Sequence, residues 1–250
     1  MNYTTTLIYT HTDYKYLWEI SFDLLKVANP TDKYIVLLNK NHNSNILDYF
    51  KFDRIIEYDE ILSYSDRILS CLIEIKETHV LFTHEHNIIT NCEKKSIDKL
   101  FEYMKNKDIV RIGLYIWEYY ENKPYINIYE DIGITRSDNS NEYPYSVSPS
   151  IWNINKWINI LQTFPGKTYR NIEDQDVQRF CSKLNIYTLV PTEILGNIKK
   201  IISGFIINYY FQFIHLTHKG CFLSMSYHKE LKDLANELIK IYNIDINHKF

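Results

Sequence analysis

The sequence of 250 residues has little glycine, proline and cysteine, and each shortage excludes a class of structure or site. It holds 6 glycines and 6 prolines, without a Gly-, Pro- or Ser-rich stretch that would mark a linker between domains. The 4 cysteines lack the Cys-x-x-Cys spacing of zinc sites and redox pairs, so we expect reduced thiols and a cytoplasmic protein. With no internal repeat either, we predict a single domain over residues 1–250.

An excess of one charge and a long apolar run are lacking as well. The net charge is −3 with both signs scattered along the chain, which argues against a basic face for nucleic acid. Residues 1–13 lack the basic and apolar regions of a signal peptide. The apolar run 201–216 is interrupted by Ser203, Asn208 and Gln212 and is shorter than the ~20 residues of a membrane span. A buried segment is therefore favoured over shallow membrane contact.

Two glycine-rich phosphate-binding motifs are also absent from the sequence. No G-x-G-x-x-G follows the first apolar run, and no G-x-x-x-x-G-K-[ST] occurs anywhere. A bound nucleotide would need another way to neutralise its phosphates. A divalent cation that bridges phosphate oxygens is the obvious alternative.

Short β-rich runs alternate with helical patterns through the first half, which is typical of βαβ units around a largely parallel sheet. We predict strands at 4–10, 33–38, 54–58, 79–83 and 109–116, and helices at 14–27, 46–50, 64–75 and 96–105. The polar stretch 118–141 indicates hairpins and loops. Further on we predict a strand at 145–150 and helices at 154–163, 173–184 and 229–242.

Polar residues directly after strands are candidates for ligand contact, because ligands of open parallel sheets bind beyond the carboxyl ends of the strands. They are residues 10–13, Asp59, the triplet His84-Glu85-His86 with Asn87, and residues 148–150. Imidazole and carboxylate groups are competent ligands for Mn²⁺ and related ions. On an extended segment we expect His84 and His86 to converge and Glu85 to face elsewhere. The alternative interpretation is a solvated loop tip that caps the next element.

Two further groups carry candidate chemistry. Glu173 and Asp174 begin a predicted helix after a Pro-Gly loop, where a carboxylate suits a general base and equally suits a helix cap. His215 and His218, next to Lys219 and Gly220, would contact a diphosphate or a metal, or would simply be one packed and one exposed residue.

In this order, the motifs between residues 4 and 220 resemble the nucleotide-sugar-dependent glycosyltransferases of the GT-A fold. The segment VLFTHEHN at 80–87 stands where that family has an acidic D-x-D-like motif, although histidines replace aspartates here. The segment IEDQDV at 172–177 is similar to the family's Glu-Asp pair at a helix start. The histidines before Gly220 are similar to a C-terminal histidine that completes the family's metal or diphosphate site.

The resemblance implies a GT-A-like, Rossmann-related three-layer α/β/α domain with a mostly parallel mixed sheet. It implies a nucleotide-sugar half at 1–117, an acceptor half at 118–228 and a C-terminal helix within 229–250. The implied donor is a nucleoside-diphosphate sugar, with UDP-sugars favoured, and the implied acceptor is a hydroxyl of a glycan or glycoprotein.

The resemblance also assigns roles to single residues. Asp174 would be the base of an inverting reaction, with Glu173 orienting the acceptor. A divalent metal, expected to be Mn²⁺, would be held by His84, Glu85, His86 and His215. The donor would be contacted by Thr10, His11, Asp13, Asp59, Arg67, His218 and Lys219. Trp152 would either stack on a sugar ring or belong to the core.

Two rival functions stay open. A nucleotidyltransferase of related fold normally needs a glycine-rich loop with a basic residue after the first strand, and residues 10–14 contain no glycine. A non-catalytic glycosyltransferase-like domain that binds glycans or a partner is favoured by the histidines that replace aspartates.

Overall fold

The computed structural model describes residues 3–40, 45–114, 123–129, 132–191, 211–215, 217–218, 221–222 and 236–243. The helices are α1 (Trp18–Ala28), α2 (Tyr64–Leu72), α3 (Lys94–Lys105), α4 (Ile154–Thr163) and α5 (Gln175–Cys181). Short 3-10 helices cover Thr12–Leu17, Ile46–Asp48 and Ser140–Glu142. The strands are β1 (Thr5–Tyr9), β2 (Lys33–Asn39), β3 (Arg54–Tyr58), β4 (His79–His84), β5 (Asn87–Cys92), β6 (Arg111–Gly113), β7 (Tyr125–Tyr129), β8 (Ile132–Arg136), β9 (Ser150–Asn153), β10 (Ile186–Pro191), β11 (Phe211–His215), β12 (Thr217–His218) and β13 (Cys221–Phe222).

A nine-stranded sheet in the order β3-β2-β1-β4-β9-β6-β10-β8-β7 forms the centre of the fold. The strands β3, β2, β1 and β4 pair in parallel, as do β6 and β10. Strand β9 is antiparallel to both β4 and β6, and β8 is antiparallel to β10 and β7. Within this sheet only β8 and β9 run against the others, which confirms the predicted mostly parallel mixed sheet.

Helices cover both faces of the sheet because its buried strands are apolar on both sides. In β1, Leu7 and Tyr9 pack with α2, α4 and α5, whereas Ile8 packs with α1 and α3. Each helix turns an apolar stripe to the sheet, as Ile68 of α2 and Phe101 of α3 illustrate. The predicted three-layer α/β/α architecture is therefore confirmed.

Most predicted elements occur with shifted ends, and one predicted strand is wrong. The segment 145–148 is not a strand, because side chains of the α5 region take its backbone hydrogen bonds. The Tyr145 N–H donates to Gln178 Oε1, and the Val147 N–H donates to Glu173 Oε1. The strand begins only at Ser150. Strands β5, β10, β11, β12 and β13 were not predicted, and α5 is shorter than the predicted helix 173–184.

The structure tests the apolar run 201–216 and the C-terminal helix only in part. Of these segments it describes 211–215 as strand and 236–241 as helical, and Leu238 packs against Leu17, Ile20 and Ile88. Among the described residues, no helix has both the length and the apolar character needed to cross a membrane.

Candidate functional site

The polar segments after β1 and β4 meet at the point where the chain changes direction across the sheet. From β1 the chain crosses to β2 on the face that holds α1, and it later reaches β4, on the other side of β1, from the face that holds α2. Ligands of open α/β sheets bind beyond the strand ends at such a switch point. Tyr9 and His84 are register partners here, and the Glu85 N–H donates to the Tyr9 carbonyl at 3.3 Å.

The triplet His84-Glu85-His86 forms a buried cluster in the tight turn between β4 and β5. One ligand atom from each side chain lies within 4.8 Å of the others, and the residues are only 2%, 2% and 6% exposed. The prediction that Glu85 faces away from the histidines is wrong, because the strand ends at His84 and a turn replaces the alternation of an extended chain. The interpretation as a solvated loop tip is wrong as well.

The electrostatics of this cluster favour a bound cation. Glu85 Oε2 is buried without a hydrogen-bond partner, and Oε1 lies 3.5 Å from His86 Nδ1. Burial raises the pKa of Glu85 to about 8, and His11 and a hydrogen bond from Thr10 offset part of this effect. Burial lowers the pKa of His86 to about 4, so its ring is neutral at physiological pH. A buried carboxylate beside two imidazoles fits a first-row divalent cation, and pairing with the cation would compensate the unpartnered oxygen.

Two tyrosines from distant segments contact the histidine rings. Tyr64 Oη lies 2.9 Å from His84 Nε2, and Tyr169 Oη lies 3.5 Å from His86 Nε2. Tyr169 as a whole residue is 42% exposed, and its ring lies against His84 with centroids 5.6 Å apart. Among 22 tyrosines, nothing in the sequence distinguishes these two.

A hydrogen-bonded network joins the ends of the first three strands. His11 Nε2 lies 3.2 Å from Glu60 Oε1, while the Asn39 side chain bonds to Glu60 and to Thr12. His11 Nδ1 accepts from the Asp13 N–H at 3.1 Å. Asn39 and Glu60 were not predicted from the sequence. Asn39 ends β2, so the rule that picked out the ends of β1, β3 and β4 would have found it.

The other residues on these loops that were predicted to contact the nucleotide-sugar donor have hydrogen-bond partners nearby in the chain. Thr10 is fully buried and accepts from Trp18 Nε1 at 2.7 Å. Asp59 accepts from the Ile61 N–H at 3.0 Å. Arg67 donates to the carbonyls of Glu60 and Leu62, and its guanidinium lies over the Tyr58 ring. Arg67 therefore shapes the loop after β3, and its contact with a donor stays a prediction.

The acidic helix start separates into one half-buried carboxylate, Glu173, and one exposed carboxylate, Asp174. Glu173 accepts from the Val147 N–H at 2.8 Å, and burial raises the pKa of this carboxyl. Asp174 occupies the N-cap position of α5, yet its side chain makes no capping hydrogen bond, so the capping interpretation is wrong. Its carboxylate is 51% exposed and lies 3.7 Å from Lys167 Nζ, which also pairs with Asp176 at 2.9 Å.

The C-terminal candidates are described only in their backbone. Strand β11 pairs with β5, and His215 is the register partner of Asn87, next to the His-Glu-His cluster. His218 lies in β12, and Lys219 lies outside the described residues. Their roles stay predictions.

Trp152 is a core residue and not a platform for a sugar. Its side chain is fully buried, stacks on Trp157 with centroids 4.9 Å apart, and lies below the Arg111 guanidinium. The core alternative left open by the sequence is therefore the one that the structure supports.

Comparisons with known proteins identify no family. The sequence matches no protein-family model and no curated protein. Among solved structures, the chain is similar to 4-diphosphocytidyl-2C-methyl-D-erythritol synthase from Anaerococcus prevotii (11% identity, 96% of this chain, 100% of that chain, TM-score 0.49). It is also similar to UDP-glucose pyrophosphorylase complexed with UDP-glucose (9% identity, 74% and 90%, TM-score 0.43) and to residues 1–349 of TarS from S. aureus (14% identity, 81% and 59%, TM-score 0.46). At these identities and TM-scores, the likenesses assign no activity to this chain.

Proposed function

We propose that this chain is a nucleotide-sugar-dependent glycosyltransferase that moves a sugar from a nucleoside-diphosphate donor to a hydroxyl of a glycan or protein. The observation that carries the proposal is the buried Glu85 carboxylate, which has one unpartnered oxygen and lies within 4.8 Å of a ring nitrogen of each of two histidines at the switch point of the sheet. Switch points are where open α/β sheets bind ligands, and the unpartnered oxygen calls for a cationic partner.

In this proposal the donor lies across the ends of β1, β3 and β4. His84, Glu85 and His86 hold a divalent cation such as Mn²⁺, with His215 as a further candidate ligand. Such a cation, when bound, supplies positive charge beside the diphosphate. His11, Asp13 and Asp59 border the nucleoside, for which we favour uridine, and Arg67 holds the loop that carries Asp59 and Glu60.

Asp174 is the proposed base of an inverting transfer. Its accessible carboxylate takes the proton of the acceptor hydroxyl while that oxygen forms a bond to the anomeric carbon. The bond from this carbon to the diphosphate breaks, and the diphosphate leaves with the electron pair. Glu173 accepts a hydrogen bond from the Val147 N–H, which ties the start of α5 to the segment 145–148. Its proposed role is to orient the acceptor.

Glycosyl transfer is favoured over nucleotidyl transfer by the segment after β1. Residues 10–14 contain no glycine, and the chain enters the 3-10 helix Thr12–Leu17 directly after His11. A flexible glycine-rich loop around a triphosphate therefore has no counterpart at this position.

Thermal unfolding with nucleotides tests the proposal. The purified chain is heated with UDP, GDP, dTDP or CMP, each with Mn²⁺, Mg²⁺ or EDTA. A ligand at about 100 times its Kd adds about 2.7 kcal/mol, and a domain of this size gains about 2–4 °C in Tm per kcal/mol. We expect a rise in Tm with UDP that EDTA removes, and release of the sugar from the matching UDP-sugar in an acceptor-free assay.

Two variants make the test specific for the proposed site. Glu85→Gln should abolish the EDTA-sensitive part of the Tm rise. Glu74→Gln, which removes an exposed carboxylate paired with Arg54 outside the site, should leave the rise unchanged. If no nucleotide raises the Tm under any condition, the proposed donor site is overturned and the alternative, a non-catalytic domain that binds glycans or a partner, is favoured.

A further inference from the structure

Both histidines of the His84-Glu85-His86 cluster have a tyrosine hydroxyl at the same ring nitrogen. Tyr64 Oη is 2.9 Å from Nε2 of His84, and Tyr169 Oη is 3.5 Å from Nε2 of His86. The two phenol rings pack edge to face with centroids 5.2 Å apart. The tyrosines thus form one unit that contacts Nε2 of both imidazoles, and on His86 this is the nitrogen that does not lie beside Glu85.

The position of this tyrosine pair is set by backbone contacts between two distant segments. Tyr64 begins α2, and Tyr169 lies in the segment between α4 and α5. The next residue of α2, Ser65, donates its N–H to the Lys167 carbonyl at 3.0 Å, and the Lys167 N–H donates to Ser65 Oγ at 2.9 Å. This double hydrogen bond joins the two segments that carry the tyrosines.

The tyrosine hydroxyls at Nε2 affect which ring nitrogen of each histidine is available to a cation. A neutral imidazole has one N–H donor and one lone pair, and a hydrogen bond at one nitrogen decides which nitrogen carries the proton. His86 Nδ1 lies 3.5 Å from Glu85 Oε1, so this nitrogen is on the carboxylate side of the ring. A phenol oxygen accepts as well as donates, so each tyrosine hydroxyl can accept from the Nε2–H of its histidine.

We propose that Tyr64 and Tyr169 are positioning residues that hold Nε2 of both histidines, so that a divalent cation is bound through Nδ1 of His84, Nδ1 of His86 and the carboxylate of Glu85. The inference rests on the cation site of the proposed function. Groups that hydrogen-bond to the outer nitrogen of a ligating histidine fix its tautomer and orientation, and their removal typically lowers metal affinity about 10–100-fold.

Nitrogen NMR tests the ligation mode directly. Long-range ¹H–¹⁵N spectra of the histidine rings are recorded for the ¹⁵N-labelled chain with and without Zn²⁺, a diamagnetic probe. We expect Zn²⁺ to shift Nδ1 of His84 and His86 while Nε2 keeps the signal of a protonated nitrogen. Single His84→Gln and His86→Gln variants assign the signals.

Variants that lack one hydroxyl test the role of the tyrosines. Tyr64→Phe and Tyr169→Phe keep the rings, and each should weaken Zn²⁺ and Mn²⁺ binding about 10–100-fold in titration calorimetry. Each should also produce a mixture of Nδ1 and Nε2 ligation in the nitrogen spectra, an effect that a loss of stability alone does not cause. Tyr34→Phe is the matched control, because Tyr34 is also buried and hydrogen-bonded but contacts Asn29.

The possible outcomes separate this inference from the proposed function. Ligation through Nε2 in the unmodified chain, or unchanged affinity and spectra in both phenylalanine variants, overturns the inference and leaves the cation site in place. If the unmodified chain binds neither ion, the inference is overturned together with the cation site. In that case, nucleotide binding in EDTA still tests whether the chain has the proposed site for the nucleotide-sugar donor.

Discussion

At the scale of single residues, Asp174 and Asp176 lie in the same turn and pair with the same lysine, yet only Asp174 is proposed to react. Asparagine has nearly the shape of aspartate but cannot take up the acceptor proton. Asp174→Asn should therefore lower kcat about 10²–10⁴-fold, with donor affinity nearly unchanged. Steady-state kinetics with the donor found in the thermal panel, together with calorimetric titration of its nucleotide, measure both quantities.

Asp176→Asn is the control, because it removes the shorter ion pair with Lys167 and keeps the proposed base. Its turnover should stay within a few-fold of the unmodified chain. Equal losses of turnover in both variants would mean that the two carboxylates act by holding Lys167. Loss of nucleotide binding in Asp174→Asn would reassign Asp174 to the donor site.

At the scale of elements, the link between α4 and α5 carries several of the groups discussed above. It contains Lys167 and Tyr169, ends at Asp174, and turns through a Pro-Gly pair in which Gly166 has φ +73°. Proline followed by a residue at positive φ is the pattern of a type II turn. A left-handed backbone conformation is strained for a residue that has a Cβ atom, and this strain lowers stability. Glycine has no Cβ and avoids the strain.

Gly166→Ala should lower the free energy of unfolding by about 1–2 kcal/mol. Apart from residues 165–167 themselves, the described part of the chain places no atom within 4 Å of the added Cβ, so the cost comes from the backbone alone. Asparagine tolerates this conformation better, so Gly166→Asn should cost less. Urea unfolding measures both changes, and equal stability of Gly166→Ala and the unmodified chain would show that the turn adopts another conformation in solution.

At the scale of the whole molecule, the stability of the metal-free chain should depend on pH through Glu85. In the folded chain this carboxyl keeps its proton up to a pKa of about 8, against an ordinary value of 4.5. Between these values the folded state binds more protons than the unfolded state, so the free energy of unfolding falls as pH rises. Each pKa unit corresponds to about 1.4 kcal/mol, and the full effect is on the order of a few kcal/mol.

Glu85→Gln removes this titration, and the comparison of the two chains isolates it from other groups. In EDTA, the variant should gain a few kcal/mol relative to the unmodified chain between pH 5 and pH 8. Denaturant unfolding at both pH values measures the difference. Parallel pH profiles of the two chains would mean that Glu85 ionises normally in the folded state.

The sequence predicted the order and type of most elements in the first half, because apolar spacing and strand propensity are local properties. Strand β3 and helix α4 have the predicted bounds. The segment 145–148 shows where this reasoning fails, since its strand-like composition is outweighed by hydrogen bonds to Gln178 and Glu173, about thirty residues away. Strand β10 was not predicted, although it follows α5 where the sequence changes from polar to apolar.

For the site, the sequence by itself determined which polar residues follow the strands, since a strand's end can be read from its own residues. Only the tertiary structure decided that Glu85 faces the two histidines, that Tyr64 and Tyr169 contact them, and that Trp152 is buried. The first depends on a turn that breaks the alternation of the strand. The others depend on contacts between residues 20 or more positions apart, which form only when the sheet and its helices pack together.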